Sequence, residues 1–126
     1  MLQFLLYLCA MIERKIDTYK NYFLDFISSL EESVARKVYY SIDILKTQQR
    51  VSKKFAEHIR EGVYELKAEY EGNIYRVFFC FDEGHVVILF NGFQKKTQKA
   101  PESEIQKAIQ IKNEYYASKQ QPVDKR

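Results

Sequence analysis

Lysine and arginine recur in the second half of this sequence at positions that chemistry could use. Lys67 lies in "VYELKAEY", Arg76 in "IYRVFFCF", and Lys95, Lys96 and Lys99 in "NGFQKKTQKAP", with Lys53 and Lys54 upstream of all of them. Cations that converge over one sheet face make an anion site, and phosphate is its commonest occupant. Taken singly these residues carry little weight. A lysine on the wet face of a strand is ordinarily just solvated, and a dilysine in a loop is ordinarily surface. Arg76 is different, because Ile74, Val77 and Phe78 surround it in sequence and an arginine among apolar side chains needs a partner. That partner is either an internal carboxylate, Glu65 or Glu69, or a bound anion.

Other chemistries find little footing. His58 and His85 have no acid or nucleophile at an informative spacing. Cys9 and Cys80 form neither a CxxC nor a Cys/His ligand pattern, so no zinc site or disulfide framework is indicated. Reduced thiols in an intracellular protein are the plain reading. Tyr64, Tyr70 and Tyr75 could stack a base, although tyrosine alternating along a strand is more often core. Glycine-rich phosphate loops, nucleophile elbows and HExxH are absent from the sequence. No metal, cofactor or small-molecule substrate is expected.

The elements that must hold the cations can be read from hydrophobic period. Ile12, Arg14 and Ile16 alternate with Glu13, Lys15 and Asp17, as in a short half-buried strand. Tyr19, Tyr22, Phe23, Phe26, Ile27 and Leu30 then draw one stripe down an amphipathic helix. After "LEES", in which Ser33 is a possible N-cap, a second stripe runs through Ala35, Val38, Tyr39, Ile42 and Leu45. So short a break implies an antiparallel helical hairpin.

From Val63 the period becomes two. "VYELKAEY", "IYRVFFCF" and "HVVILF" are separated by turns at Glu71-Gly72-Asn73 and Asp82-Glu83-Gly84, which makes an antiparallel meander of three strands. The last of these is apolar on both faces, so it reads as central. Lys95 and Lys96 would follow it in a loop. Pro101, with Glu102 and Glu104 in the first turn, opens a terminal helix whose inner stripe is Ile105, Ala108, Ile109 and Tyr116. The predicted fold is α+β: an N-terminal strand and antiparallel helical hairpin, then an antiparallel β-meander and C-terminal helix, with the helices packed on one face of the sheet.

Bulk properties set the frame. With 126 residues, 46% hydrophobic and 29% charged, the chain suits one globular domain. A net charge of +3 is mildly basic, weaker than a dedicated nucleic-acid binder shows, so the placement of charge decides. The opening "MLQFLLYLCAMI" is apolar without a break only from Phe4 to Ile12, short of the roughly 20 residues of a spanning helix. No Lys or Arg precedes it, as a secretory signal requires. We expect residues 1–10 to be an apolar extension, the domain to span 11–118 with Met11 a candidate start, residues 119–126 to form a loose tail, and the protein to be cytoplasmic with no membrane partner.

The succession "EGVYELK…YRVFFCFDEG…VVILFNGFQKKTQKAPESEI" resembles the HigB-like branch of the RelE/ParE superfamily of type II toxin–antitoxin toxins. That branch shows a Tyr-Glu-Leu-Arg strand, an aromatic-rich Tyr-Arg strand and a Gly-Phe-x-Lys-Lys-Thr-x-Lys-x-Pro loop before a Glu-containing helix. The match covers about residues 11 to 118, and "GFQKKTQKAP" is its most specific part. The resemblance implies a RelE-like toxin, in many members a ribosome-dependent endoribonuclease cutting translated messenger RNA. It also implies a cognate helix-turn-helix antitoxin that holds the toxin inactive. Lys67 stands where the family has the Arg of its Glu-Leu-Arg strand, Arg76 matches the Tyr-Arg arginine, and Lys95 and Lys96 match the Lys-Lys pair. Lys67 keeps the charge but loses the bidentate fork. Ala100 replaces the family's usual Thr before Pro101, which removes a helix cap.

Cleavage of RNA by its own 2′-hydroxyl needs a base for that proton, donors for the crowded phosphate and an acid for the leaving 5′-oxygen. Without a well-placed histidine, lysines would serve, provided neighbouring cations or burial bring one down from its ordinary pKa. On this reading Arg76 binds or stabilises phosphate, Lys95 and Lys96 bind phosphate or transfer protons, and Lys67 assists. Lys53, Lys54 and Lys99 contact the RNA backbone, and Phe93 is a stacking platform for a base or, our preference, an anchor. Two rivals stand beside it: a non-nucleolytic inhibitor akin to ParE-like gyrase poisons, and a catalytically silent RNA- or partner-binding module.

Overall fold

The computed structural model describes residues 13–95 and 100–120. In chain order the elements are β1 (Lys15–Thr18), α1 (Tyr22–Ser28), α2 (Glu32–Thr47), β2 (Ala56–Arg60), β3 (Val63–Tyr70), β4 (Asn73–Asp82), β5 (Val86–Lys95) and α3 (Glu102–Gln120). The predicted residues 1–10 extension, the Met11 start, Lys96, Lys99 and the tail beyond 120 lie outside the described residues. Among the described residues no helix is long and apolar enough to cross a membrane.

The five strands form one mixed sheet in the order β1-β5-β4-β3-β2. β2 to β5 are antiparallel neighbours, and β1 closes the sheet by pairing parallel to β5, from Lys15 opposite Val86 to Thr18 opposite Leu89. The meander therefore has four strands rather than the expected three. β2 is an edge strand whose register slips between His58 and Arg60, so its period-two signal is faint.

Both faces of the sheet are covered, which corrects the expectation of helices on one face. Phe23, Ile27, Val38, Ile42 and Leu45 of α1 and α2 pack on Leu66, Ala68, Val77, Phe79, Val87 and Leu89. On the opposite face Ile105, Ala108, Ile109 and Ile111 of α3 pack on Val63, Phe78, Cys80, Ile88 and Phe90. The physical reason is in β4 and β5, where consecutive residues are apolar; a sheet wet on one side could not bury Phe78 and Phe79 together.

Local signals explain most joints. Glu61-Gly62 and Glu71-Gly72 are two-residue turns with positive φ at both positions, 50° and 77° in the first and 49° and 81° in the second. Such backbone suits the twist of a hairpin, and glycine makes the second position cheap. α2 begins at Glu32 with Glu31 as its N-cap and no capping side chain, so Ser33 lies inside the helix rather than at its cap. At the other end of α2 the Arg14 guanidinium donates to the carbonyls of Leu45, Gln48 and Gln49 at 2.8, 2.6 and 3.0 Å, satisfying acceptors that a helix end leaves open. α3 continues through Lys119 and Gln120, past its expected end, and Lys119 is ion-paired with Asp82.

One irregularity sets the site. Val77 pairs with Gly92 but Phe79 pairs with Leu89, so both Phe90 and Asn91 stand against Phe78. This bulge reverses the alternation of the last part of β5. Gly92 then faces α1, where a Cβ would fall 2.3 Å from the Phe26 ring, and Phe93 shares a face with Phe78 and α3.

Candidate functional site

Lys67 and Arg76 are opposed in the β3–β4 ladder, and Glu57 and Glu65 are opposed in the β2–β3 ladder. Like charges thus face each other across each rung, an arrangement that costs stability when nothing offsets it. Here the diagonals offset it. The Lys67 ammonium meets Glu57 Oε1 at 2.9 Å and donates to the Lys53 carbonyl at 3.0 Å. Arg76 is ion-paired through Nη1 with Glu65 Oε1. The result is a charge quartet over three strands, on the sheet face that α3 covers elsewhere.

Its two halves differ in solvation. Glu65 is 1% exposed and Arg76 8%, so this pair is buried and each partner holds the other in place. Glu65 Oε2 and Arg76 Nε are buried with no hydrogen-bond partner among the described residues. Burial pulls the Arg76 guanidinium below its ordinary pKa, with Glu57 acting in the opposite sense. Lys67 and Glu57 are more open. The hydrogen bond from Lys67 holds the Glu57 carboxyl below the usual carboxylate range, helped by the charges of Lys67, Lys53 and Arg76. Glu57 and Glu65 thus return two negative charges to the cluster of cations, and Glu65 is the internal carboxylate that partners Arg76.

Phe93 pairs with Arg76 from the β5 side, its ring centroid 5.4 Å from that of Phe78. Packed in this way it is an anchor within the α3-side core. Lys95 belongs to β5 rather than to a following loop, paired with Ile74 two residues along from Arg76. Lys53 and Lys54 precede β2 and lie beside Lys67, with Lys54 Nζ 5.7 Å from the Phe55 centroid. The fold thus assembles Lys53, Lys54, Lys67, Arg76, Phe93 and the backbone of Lys95 around one end of the β3–β4–β5 ladder. Lys96 and Lys99 lie outside the described residues.

Polar contacts fix the start of α3 beside this patch. Asn91, buried at the bulge, donates to Glu104 Oε1 at 3.2 Å, and Arg60 meets Glu102 at 2.5 Å. Glu57 was missed by sequence reading because β2 went unrecognised. Glu65 was visible as one of two possible partners of Arg76; Glu65 and Glu69 both lie diagonal to it, and the ion pair forms with Glu65. Among the described residues no group of three or more His, Cys, Asp or Glu converges to hold a metal.

The profile of the family described as "Phage derived protein Gp49-like (DUF891)", a RelE/toxin-like family, matches residues 25–113. That span runs from α1 to most of α3 and includes the whole quartet. No curated protein shows significant similarity to the chain.

Proposed function

The chain belongs to the Gp49-like family of phage-derived proteins, and on that premise we propose that it is the toxin of a type II toxin–antitoxin pair, of the HigB-like branch, cutting translated messenger RNA on the ribosome. One observation carries the reading. Arg76 sits between Lys67 and Phe93 on adjacent strands, with Lys95 two residues along. A guanidinium beside a lysine offers a phosphate charge-assisted hydrogen bonds, which are among the strongest that arginine makes. Arg76 grips the scissile phosphate, Lys95 and Lys96 stabilise its developing charge or pass protons, and Lys67 assists from the neighbouring strand. Lys53, Lys54 and Lys99 hold the flanking backbone. No cofactor is needed, because fixed cations supply the electrostatic stabilisation. The partner that silences the toxin is a helix-turn-helix antitoxin.

The test is to induce the protein in growing cells and map new RNA ends. Codon-phased cuts in translated messages support the reading, and their absence during arrest removes it. A second reading has its own observation. Because Glu57 and Glu65 offset Lys67 and Arg76, the quartet is neutral, as befits a catalytically silent RNA- or partner-binding module. Arrest with DNA damage and no RNA cuts would point instead to a gyrase poison, and neither effect would leave the module.

A further inference from the structure

A cleft of about 420 Å³ opens on the far side of Lys67, between α2 and the end of the sheet. Lys37 and Tyr40 of α2 form one wall, Lys54 and Phe55 a second, and Lys67 and Glu69 of β3 the floor. Its size falls within the range of pockets that bind small ring systems. Tyr40 is 55% exposed, and its ring meets Phe55 edge to face with centroids 6.1 Å apart. Among the described residues neither Lys37 nor Lys54 has a carboxylate at ion-pair distance.

The floor carries a further signal. β2 pairs with β3 only as far as Leu66, and the Phe55 carbonyl takes the next outward N–H, that of Lys67, at 2.8 Å. In an antiparallel strand every second residue turns its N–H and C=O to the same neighbour. The N–H and C=O of Glu69 therefore point to the side where β2 no longer runs, at the floor of the cleft. A donor and an acceptor at strand spacing, beside the exposed Tyr40 ring, the half-buried Phe55 ring and two cations, match the parts of a nucleotide: a hydrogen-bonding base edge, a flat ring and a phosphate.

We propose that this cleft holds one unstacked base of single-stranded RNA, its ring against Tyr40 and Phe55, its edge at the Glu69 main chain and its phosphate on Lys37 and Lys54. The inference rests on the RNA-directed function above and adds to it the subsite that selects the nucleotide next to the cut, with Lys67 at the junction. A free nucleotide offers the same chemistry, so the experiment must separate the two sources.

Binding of a fluorescein-labelled single-stranded RNA hexamer to the full chain is followed by anisotropy, with adenosine 5′-monophosphate and inorganic phosphate as competitors. Tyr40→Ala and Lys37→Glu should each weaken the hexamer about tenfold. Tyr40→Phe should bind like the wild type, and the far-ultraviolet circular dichroism of all three should be unchanged. The mononucleotide should displace the hexamer only at far higher concentration, and phosphate should not displace it at that level. Unaltered hexamer affinity in both Tyr40→Ala and Lys37→Glu overturns the assignment, and a mononucleotide that binds as tightly as the hexamer overturns RNA as the occupant. If cellular RNA is cut and Tyr40→Ala leaves the base preference of the cuts untouched, the subsite fails while the cleavage reading stands. If no RNA is cut yet hexamer binding depends on Tyr40, the cleavage reading fails and the subsite stands.

Discussion

Lys67 and Arg76 face each other across the β3–β4 ladder, and each turns to a carboxylate on a diagonal, Glu57 for Lys67 and Glu65 for Arg76. Two like charges on one rung are tolerable because the acids on the neighbouring rung are equally crowded, so each pair relieves the other. The pairs are unequal in worth. The buried one locks Arg76 in a fixed orientation, whereas the Lys67–Glu57 pair is open enough for solvent to screen it.

That inequality makes Arg76→Ala a poor probe of activity when used alone. Removing the guanidinium leaves Glu65 charged and buried, and breaking such a pair costs about 3–5 kcal/mol. Arg76→Ala should therefore lower the urea midpoint sharply as well as abolish growth arrest. The double variant Glu65→Leu/Arg76→Met, which replaces the pair by apolar groups, should recover most of the stability and still cause no arrest. A double variant that arrests growth like the wild type would take Arg76 out of the mechanism, and Arg76→Ala at the wild-type midpoint would refute the dependence of Glu65 on its partner.

Gly92 gives a packing prediction. A methyl group there would fall 2.3 Å from the Phe26 ring, which lies between α1 and β5. Overpacking of this kind typically costs about 1–3 kcal/mol. Gly92→Ala should lose stability in that range by urea denaturation, and adding Phe26→Leu should restore part of it by giving the methyl room. An Ala at 92 with unchanged stability would mean that α1 does not approach β5 as described.

Much of the fold was legible and some of it was not, for identifiable reasons. The stripes of α1 and α2 and the strong alternation of β3 and β4 announce themselves, and so do the turns at Glu71-Gly72 and Glu83-Gly84. Glu61-Gly62 carries the same signature, and reading it would have revealed β2 one hairpin earlier. β2 escaped because an edge strand is held from one side only and "AEHIR" has no clear apolar face. Consecutive burial at Phe78 and Phe79 was the signal that a helix must cover each face. At the site, the proximity of Lys67 to Arg76 follows from the hairpin register that a two-residue turn imposes. The bulge at Phe90 and Asn91 has no such signature, and it decides that Phe93 shares the face of Arg76 rather than that of Phe26.

Asp82 ties the far end of α3 to β4 and should govern acid sensitivity. It accepts from the Tyr115 hydroxyl at 2.6 Å and from Lys119, and these hydrogen bonds hold its carboxyl below its usual pKa. The folded value lies below the unfolded one. Ionised Asp82 therefore stabilises the protein at neutral pH, and that contribution fades as the pH falls from the ordinary carboxylate range through the low folded value. Asp82→Asn should lower the urea midpoint at pH 7 and flatten its decline on acidification. A variant whose midpoint falls with acid as steeply as the wild type would show that Asp82 is not a principal acid-labile tie.

Cys80 offers a measurement of how tightly the α3-side core is closed. Its thiol is 1% exposed, and burial pushes its pKa up to about 11, outweighing the opposing hydrogen bond with Tyr116. Reactive cysteines are exposed thiolates, and Cys80 meets neither condition in the native state. Iodoacetamide at pH 8 should leave the Cys80 peptide unmodified over minutes in native protein and alkylate it fully in urea, as read by peptide mass. In the Asp82→Asn variant, which loosens the grip of α3 on β4, native labelling should become faster as opening becomes more frequent. Rapid labelling of Cys80 in the wild type would mean that α3 does not cover this face, and the packing that seats Phe93 against Phe78 would have to be abandoned with it.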